Sequence, residues 1–141
     1  MNYKTILVHI DPGRHSEKRL ELAIRLASNH GACLAGLYVF SPYLPPGYIM
    51  AQMGAEIEAA QNKIAAEAMS RAEEAFRNQT SAAGLANIEW HNAYDEPVHA
   101  LALQAQYADL VVIGQSDSTD DSGMAMDFPE RLVLSTARPV L

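Results

Sequence analysis

Ala108-Asp109-Leu110-Val111-Val112-Ile113-Gly114-Gln115-Ser116-Asp117-Ser118-Thr119-Asp120-Asp121-Ser122-Gly123-Met124-Ala125-Met126-Asp127-Phe128 decides how the chain is read. After Asp109 it continues as an unbroken apolar run, Leu110 to Ile113, of the kind a parallel sheet buries on both faces. The run breaks at Gly114 into a loop with four aspartates. In an open α/β sheet, ligands sit beyond the carboxyl ends of the strands, so function is to be sought in and around this loop.

Working outward, the remaining apolar runs fall into an alternating order. Thr5 to Ile10 reads as a first strand, closed by Asp11-Pro12-Gly13. Ser16 then caps a helix with Leu20, Ala23, Ile24 and Ala27 on one face, stopped by His30-Gly31. Ala32 to Phe40 is a second buried strand. The three prolines and one glycine between Ser41 and Tyr48 make an irregular loop. Met53, Ile57, Ala60, Ile64, Ala68, Ala72 and Phe76 recur at helical spacing from about Met50 to Asn78, so one long amphipathic helix packs its alanine-rich face on the sheet. Asn87 to Ala93 is a third strand, Pro97 opens a helix with Val98, Leu101, Ala102 and Ala105 inward, and Ala108 to Gly114 is the fourth strand. Asp127-Phe128-Pro129-Glu130 has the form of a capping box before a short helix running to about Thr136. Pro139-Val140-Leu141 starts a fifth strand.

The pattern predicts an α/β fold, one doubly wound parallel sheet of five strands with helices on both faces. A length of 141 residues suits a single domain over residues 1–141. With 49% hydrophobic and 19% charged residues, global disorder is excluded. The net charge of −7 argues against nucleic acid and against an acidic membrane surface, since both need a cationic face. No stretch reaches the roughly 20 apolar residues of a membrane helix, and no secretory signal opens the chain. The lone Cys33 excludes an internal disulfide and fits a reducing cytoplasm.

Taken in order, Lys4-Thr5-Ile6-Leu7-Val8-His9-Ile10-Asp11, Leu37-Tyr38-Val39, Asp95-Glu96-Pro97, Ala108 to Gly114 and Ala137-Arg138-Pro139-Val140-Leu141 resemble the universal stress protein family over nearly the whole chain. The resemblance implies a flavodoxin-like or Rossmann-like sheet of strand order 3-2-1-4-5, a dimer, a cytoplasmic location and a link to stress tolerance. It also implies, for those members that bind ATP, a nucleoside held by an aspartate after the first strand and by second-strand backbone, with phosphates on a motif G-x2-G-x9-G-[ST]. Asp11, Val39 and Gly114 match the nucleoside positions and the first glycine. Asp117 stands where the second glycine belongs, and Asp127-Phe128 where the Gly-Ser pair belongs.

That departure has a physical meaning. Glycine lets backbone N–H groups approach phosphate, and a helix N-terminus adds partial positive charge. Here Asp127 can fill the N-terminus with its own carboxylate, and Asp117, Asp120 and Asp121 add like charge. At about 4 Å, repulsion between unit charges is about 1 kcal/mol in water and about 4 kcal/mol near a protein surface. The expectation is therefore no cofactor and no family-type ATP binding, in a non-enzymatic module acting through a homodimer, a tandem partner domain or another partner. The alternative is a sensor of ATP, ADP or AMP built on Asp11, Val39 and Gly114. A Mg²⁺ or Ca²⁺ site on the acidic loop is a third reading, weakened because Ser122 and Phe128 occupy the positions where an EF-hand loop needs glycine and glutamate.

The other candidates read mostly as structural. None of His9, His15, His30, His91 and His99 forms a metal pair at helical spacing. His9 and His91 read as core or sheet-edge residues, and His15 as a candidate for the ligand cleft beside Asp11. Cys33 reads as an inert small hydrophobe. Met124 and Met126 suit either a partner surface or a cover over a cavity. Asp11 also suits a simple turn before Pro-Gly. The few residues after Pro139 leave the fifth strand short, as in a truncated domain or one half of a tandem pair.

Overall fold

A computed structural model describes residues 2–42, 44–115 and 125–141. Asp117, Asp120, Asp121 and Met124, on which part of the sequence reading rests, lie outside the described residues. The elements run β1 (Thr5–Ile10), α1 (Ser16–His30), β2 (Cys33–Phe40), α2 (Gly47–Ala82), β3 (Ile88–Tyr94), α3 (Pro97–Ala105), β4 (Leu110–Val112) and α4 (Phe128–Ser135). The strands form one parallel sheet in the order β3-β2-β1-β4.

Because β1 lies in the middle, its alternate side chains face two cores. Ile6, Val8 and Ile10 pack with Leu20, Ala23 and Ile24 of α1 and Phe76 of α2. Leu7 packs with Leu101 of α3 and Phe128 and Leu132 of α4. The two-sided burial is what the unbroken apolar runs of a parallel sheet require. Asp109 ties β4 to β1 at the entry end, where its Oδ2 accepts the N–H groups of Lys4 and Thr5 at 2.8 and 3.0 Å. Those bonds hold its carboxyl below the usual carboxylate range.

Among the described residues the sheet has four strands, not the expected five. At the fifth place there is a single parallel bridge, Val111 to Val140. Val111 donates to the Pro139 carbonyl at 3.0 Å, and Leu141 donates back to Val111 at 2.8 Å. Ile113 in turn donates to the Leu141 carbonyl at 3.0 Å, while Pro139 has no N–H to add to the ladder. The strand β4 is likewise shorter than the apolar run that encodes it.

Both expected caps are corrected as well. Ser16 is the first residue of α1 rather than its cap; His15 takes that place, and the Ser16 Oγ accepts the Asp11 N–H at 3.2 Å. Asp127 precedes α4 but makes no side-chain cap bond, so the capping box does not form. Instead Glu96, not singled out in the sequence, caps α3 by accepting the His99 N–H at 3.0 Å, with Pro97 following as expected.

The long helix is longer than its periodicity suggested and is kinked at Met53 (φ −131°, ψ 16°). Beyond the kink, residues 54–82 span about 44 Å at 1.5 Å per residue, longer than any strand of the sheet. Only Ala65, Phe76 and Thr80 are buried, and Met53 and Ile64 of the expected apolar stripe are exposed. The packing is concentrated at Phe76, which lies over Gly36 of β2 and beside Trp90 at 5.1 Å between ring centroids.

A β-carbon on Gly36 would meet Phe76 ring carbons at 2.8 and 2.9 Å and a Trp90 ring carbon at 2.9 Å. Gly36→Ala should therefore lower stability by about 1–3 kcal/mol through overpacking. Urea denaturation checks this, with a lower midpoint at unchanged slope as the expected result.

Candidate functional site

The carboxyl edge of the sheet is built around the end of β1. Pro12 and Gly13 turn the chain there, and the Asp11 carboxylate organises the turn by accepting the Gly13 N–H on Oδ1 at 2.7 Å. Its other oxygen accepts from Arg19 Nη1 at 3.0 Å, and the same Nη1 donates to the His9 carbonyl at 2.9 Å. The Asp11 and Arg19 side chains are only 6% and 7% exposed. Asp11 is thus both the turn residue and half of a buried ion pair.

The three residues expected to contact a ligand do lie along one edge. The β1–β2 register ends at Ile10 opposite Tyr38, so Asp11 and Val39 stand side by side beyond the last rung. Gly114 follows two residues past the last β1–β4 rung, Val8 opposite Val112. The Val39 side chain is buried in the core on the α3 and α4 face, while its strand continues pairing with Ala93 of β3. What sequence reasoning missed is Arg19. Its guanidinium sits against Gly114 so closely that a β-carbon there would lie 2.3 Å from Nη2. The signal was present in the helix phase, since Arg19 lies four and eight residues before the buried Ala23 and Ala27.

On the opposite face, the start of α4 offers little to an anion. Phe128, at the expected serine position, is buried and packs on the His9 ring with centroids 5.4 Å apart. Its N–H already donates to the Ala125 carbonyl at 3.0 Å. Pro129 has no N–H at all, so two of the first three helical amides are withdrawn from a phosphate.

The helix α1 has a cleft on either side. Toward α2 lies one of about 630 Å³, lined by Asp11, Leu20, Tyr38, Arg71, Ala72 and Phe76 among others. Toward β4 lies one of about 480 Å³, lined by His15, Lys18, Arg19, Gly114 and Leu141 among others. His15 therefore joins Gly114 rather than the Asp11 cleft. Burial pushes the Tyr38 phenol up, with Arg71 opposing and Asp11 adding to the shift.

Among the remaining candidates, His30 packs on Tyr3, and His91 pairs with Glu89 at 3.3 Å on the edge strand. His99 pairs with Asp95 at the exposed start of α3, which holds the Asp95 carboxyl low. Burial, then Glu89, pushes the Cys33 thiol up, as expected of an inert residue. Among the described residues no group of three or more His, Cys, Asp or Glu could hold a metal ion, and no helix is long and apolar enough to cross a membrane.

His9 is fully buried, and burial pushes its imidazole down to about 4; Asp11 opposes that shift and Arg19 adds to it. The unfolded chain takes up a proton near pH 6.5 that the folded chain refuses, so this contribution leaves stability intact above pH 6.5 and erodes it as pH falls toward 4. The full loss is on the order of 3 kcal/mol. Comparing denaturation of the wild-type chain and His9→Gln from pH 7 to pH 4 should show a shallower decline in the variant.

In comparisons with known proteins, the universal stress protein family matches residues 2–141. Among curated proteins no match is found. Among solved structures, the universal stress protein UspA from Lactobacillus plantarum is similar with a TM-score of 0.73 at 19% identity, over 100% of this chain and 97% of that one. A universal stress protein in complex with cAMP has a TM-score of 0.60 at 23% identity, covering 100% and 96%. The universal stress protein from Archaeoglobus fulgidus in complex with dAMP has a TM-score of 0.57 at 23% identity, covering 100% and 98%. With the parallel sheet, the helices on both faces and the family match over nearly every residue, the chain belongs to the universal stress protein family.

Proposed function

We propose that this chain is a single-domain, cytoplasmic, non-enzymatic universal stress protein that works through dimerisation or partner binding and has given up family-type ATP binding. The observation that carries this reading is the Arg19–Asp11 pair. Both oxygens of Asp11 already accept hydrogen bonds inside the chain and its side chain is only 6% exposed, so little of the carboxylate is offered to a nucleoside. Releasing one would strand a buried charge, a cost of about 3–5 kcal/mol. The withdrawn amides of Phe128 and Pro129 support the same conclusion for phosphate. Exposed Val133, Leu134 and Leu141 beside the short Val140 bridge give apolar surface to a second copy or another partner.

A second reading, a sensor of adenine nucleotides that keeps Asp11, Val39 and Gly114, has its own support. Two similar structures hold cAMP and dAMP, and Lys18 and Arg19 bring cationic side chains beside Gly114. A monophosphate is less repelled by the aspartates than a triphosphate.

Titration calorimetry with ATP, ADP and AMP, each with and without Mg²⁺, distinguishes the two readings. The first expects no ATP binding in the micromolar range, and micromolar ATP affinity overturns it. AMP binding without ATP binding selects the second. Sedimentation at two concentrations tests the dimer.

A further inference from the structure

The cleft between α1 and α2 has features that no adenine nucleotide requires. Its volume of about 630 Å³ falls in the range of roughly 300–1,000 Å³ typical of small-molecule sites. It exists because α2 turns Ala68, Ala72 and Ala75 toward α1, side chains too short to fill the gap. Leu20, Ile10 and Phe76 supply apolar walls. Gln79 sets the width by donating from Nε2 to the Glu17 carbonyl at 3.2 Å.

The polar groups facing this space are mixed, and among the described residues Tyr38 and Arg71 are donors without an internal acceptor. Tyr38 is only 7% exposed, yet among the described residues its hydroxyl has no hydrogen-bond partner. The phenol is protonated at neutral pH and so presents an O–H donor. Arg71 lines the cleft from an exposed position and makes no ion pair among the described residues. Asp11 also lines the cleft, but its oxygens are held by Gly13 and Arg19. Glu17 adds one exposed carboxylate, which balances Arg71 and disfavours a ligand of several negative charges.

We propose that this cleft binds a small monocarboxylic acid with an aromatic or branched apolar body, its carboxylate received by the Tyr38 hydroxyl and the Arg71 guanidinium. The apolar body lies against Leu20, Ala72 and Phe76. The site is on the α1 and α2 face, whereas Val39 and Phe128 belong to the core of the other face. Asp11 is shared with the nucleoside reading, so the Arg71 and Ala72 variants, which replace none of the nucleoside residues, separate the two sites beside the nucleotide titrations.

The probe is 2-naphthoate, titrated by calorimetry into the full chain, with the neutral isostere 2-naphthalenemethanol as control. Naphthoate should bind, and the alcohol about tenfold more weakly, as expected for loss of a charge-assisted contact. Tyr38→Phe should weaken naphthoate about fivefold and Arg71→Gln about tenfold. Ala72→Phe fills the cleft and should abolish binding. Millimolar ATP should leave the naphthoate affinity unchanged. Absence of naphthoate binding at millimolar concentration overturns the proposal, as does binding that survives Ala72→Phe undiminished. Should Ala72→Phe fail to fold, Tyr38→Phe and Arg71→Gln decide, and full affinity in both overturns it.

Discussion

The carboxyl edge of the sheet depends on the guanidinium of Arg19. It reaches from α1 to the His9 carbonyl and the Asp11 carboxylate, joining the helix to the end of the central strand. Its Nη2 leaves no room for a side chain at position 114, so the glycine that ends the β4 run is required by an internal contact. The same cation lies near His9, where it adds to the burial that keeps the imidazole neutral. Both partners of the pair lie out of water, so the charges are retained only because each satisfies the other.

A second constraint comes from side-chain size on α2. Where the helix crosses β2, Phe76 requires a glycine beneath it at position 36. Toward α1, in contrast, the helix presents alanines, and the space they leave is not filled from across the gap. Close packing at one point and a deficit of volume beside it belong to the same helix. A cleft arises because α2 is anchored at Phe76 and Gln79 while its neighbouring face is too small to reach α1.

Much of this was legible in the sequence, because the legible parts are local or periodic. Unbroken apolar runs specified parallel strands, and Pro97 marked the start of α3 at the correct residue. Asp11, Val39 and Gly114 were placed along one edge because strand ends are set by the same punctuation that marks turns. The failures involve competition between partners. Ser16 has the chemistry of a cap, but its hydroxyl serves the Asp11 N–H instead. Asp127 begins a capping sequence, yet no side-chain cap bond forms and Phe128 is drawn into the core against His9. At the expected fifth strand the described residues form the Val111–Val140 bridge rather than a strand, a difference of pairing length that apolar patterning does not encode. Arg19 was passed over because a charged residue on a helix is ordinarily assigned to solvent, and only its phase with Ala23 and Ala27 points inward.

The two clefts beside α1 are electrostatically linked through this one pair. Asp11 faces the α2 side and Arg19 the β4 side, so each cleft has its buried charge neutralised by a residue of the other. Were Asp11 turned toward a nucleoside, Arg19 would lose its carboxylate and the β4 side would gain a positive charge beside Lys18. A ligand that draws Asp11 away from Arg19 would leave that buried cation uncompensated unless it brought an anion of its own. The proposed loss of nucleotide binding draws on that cost, since a neutral nucleoside brings no anion to Arg19. The α2-side cleft escapes the dilemma, because Tyr38 and Arg71 can receive a single carboxylate while the Arg19–Asp11 pair stays closed.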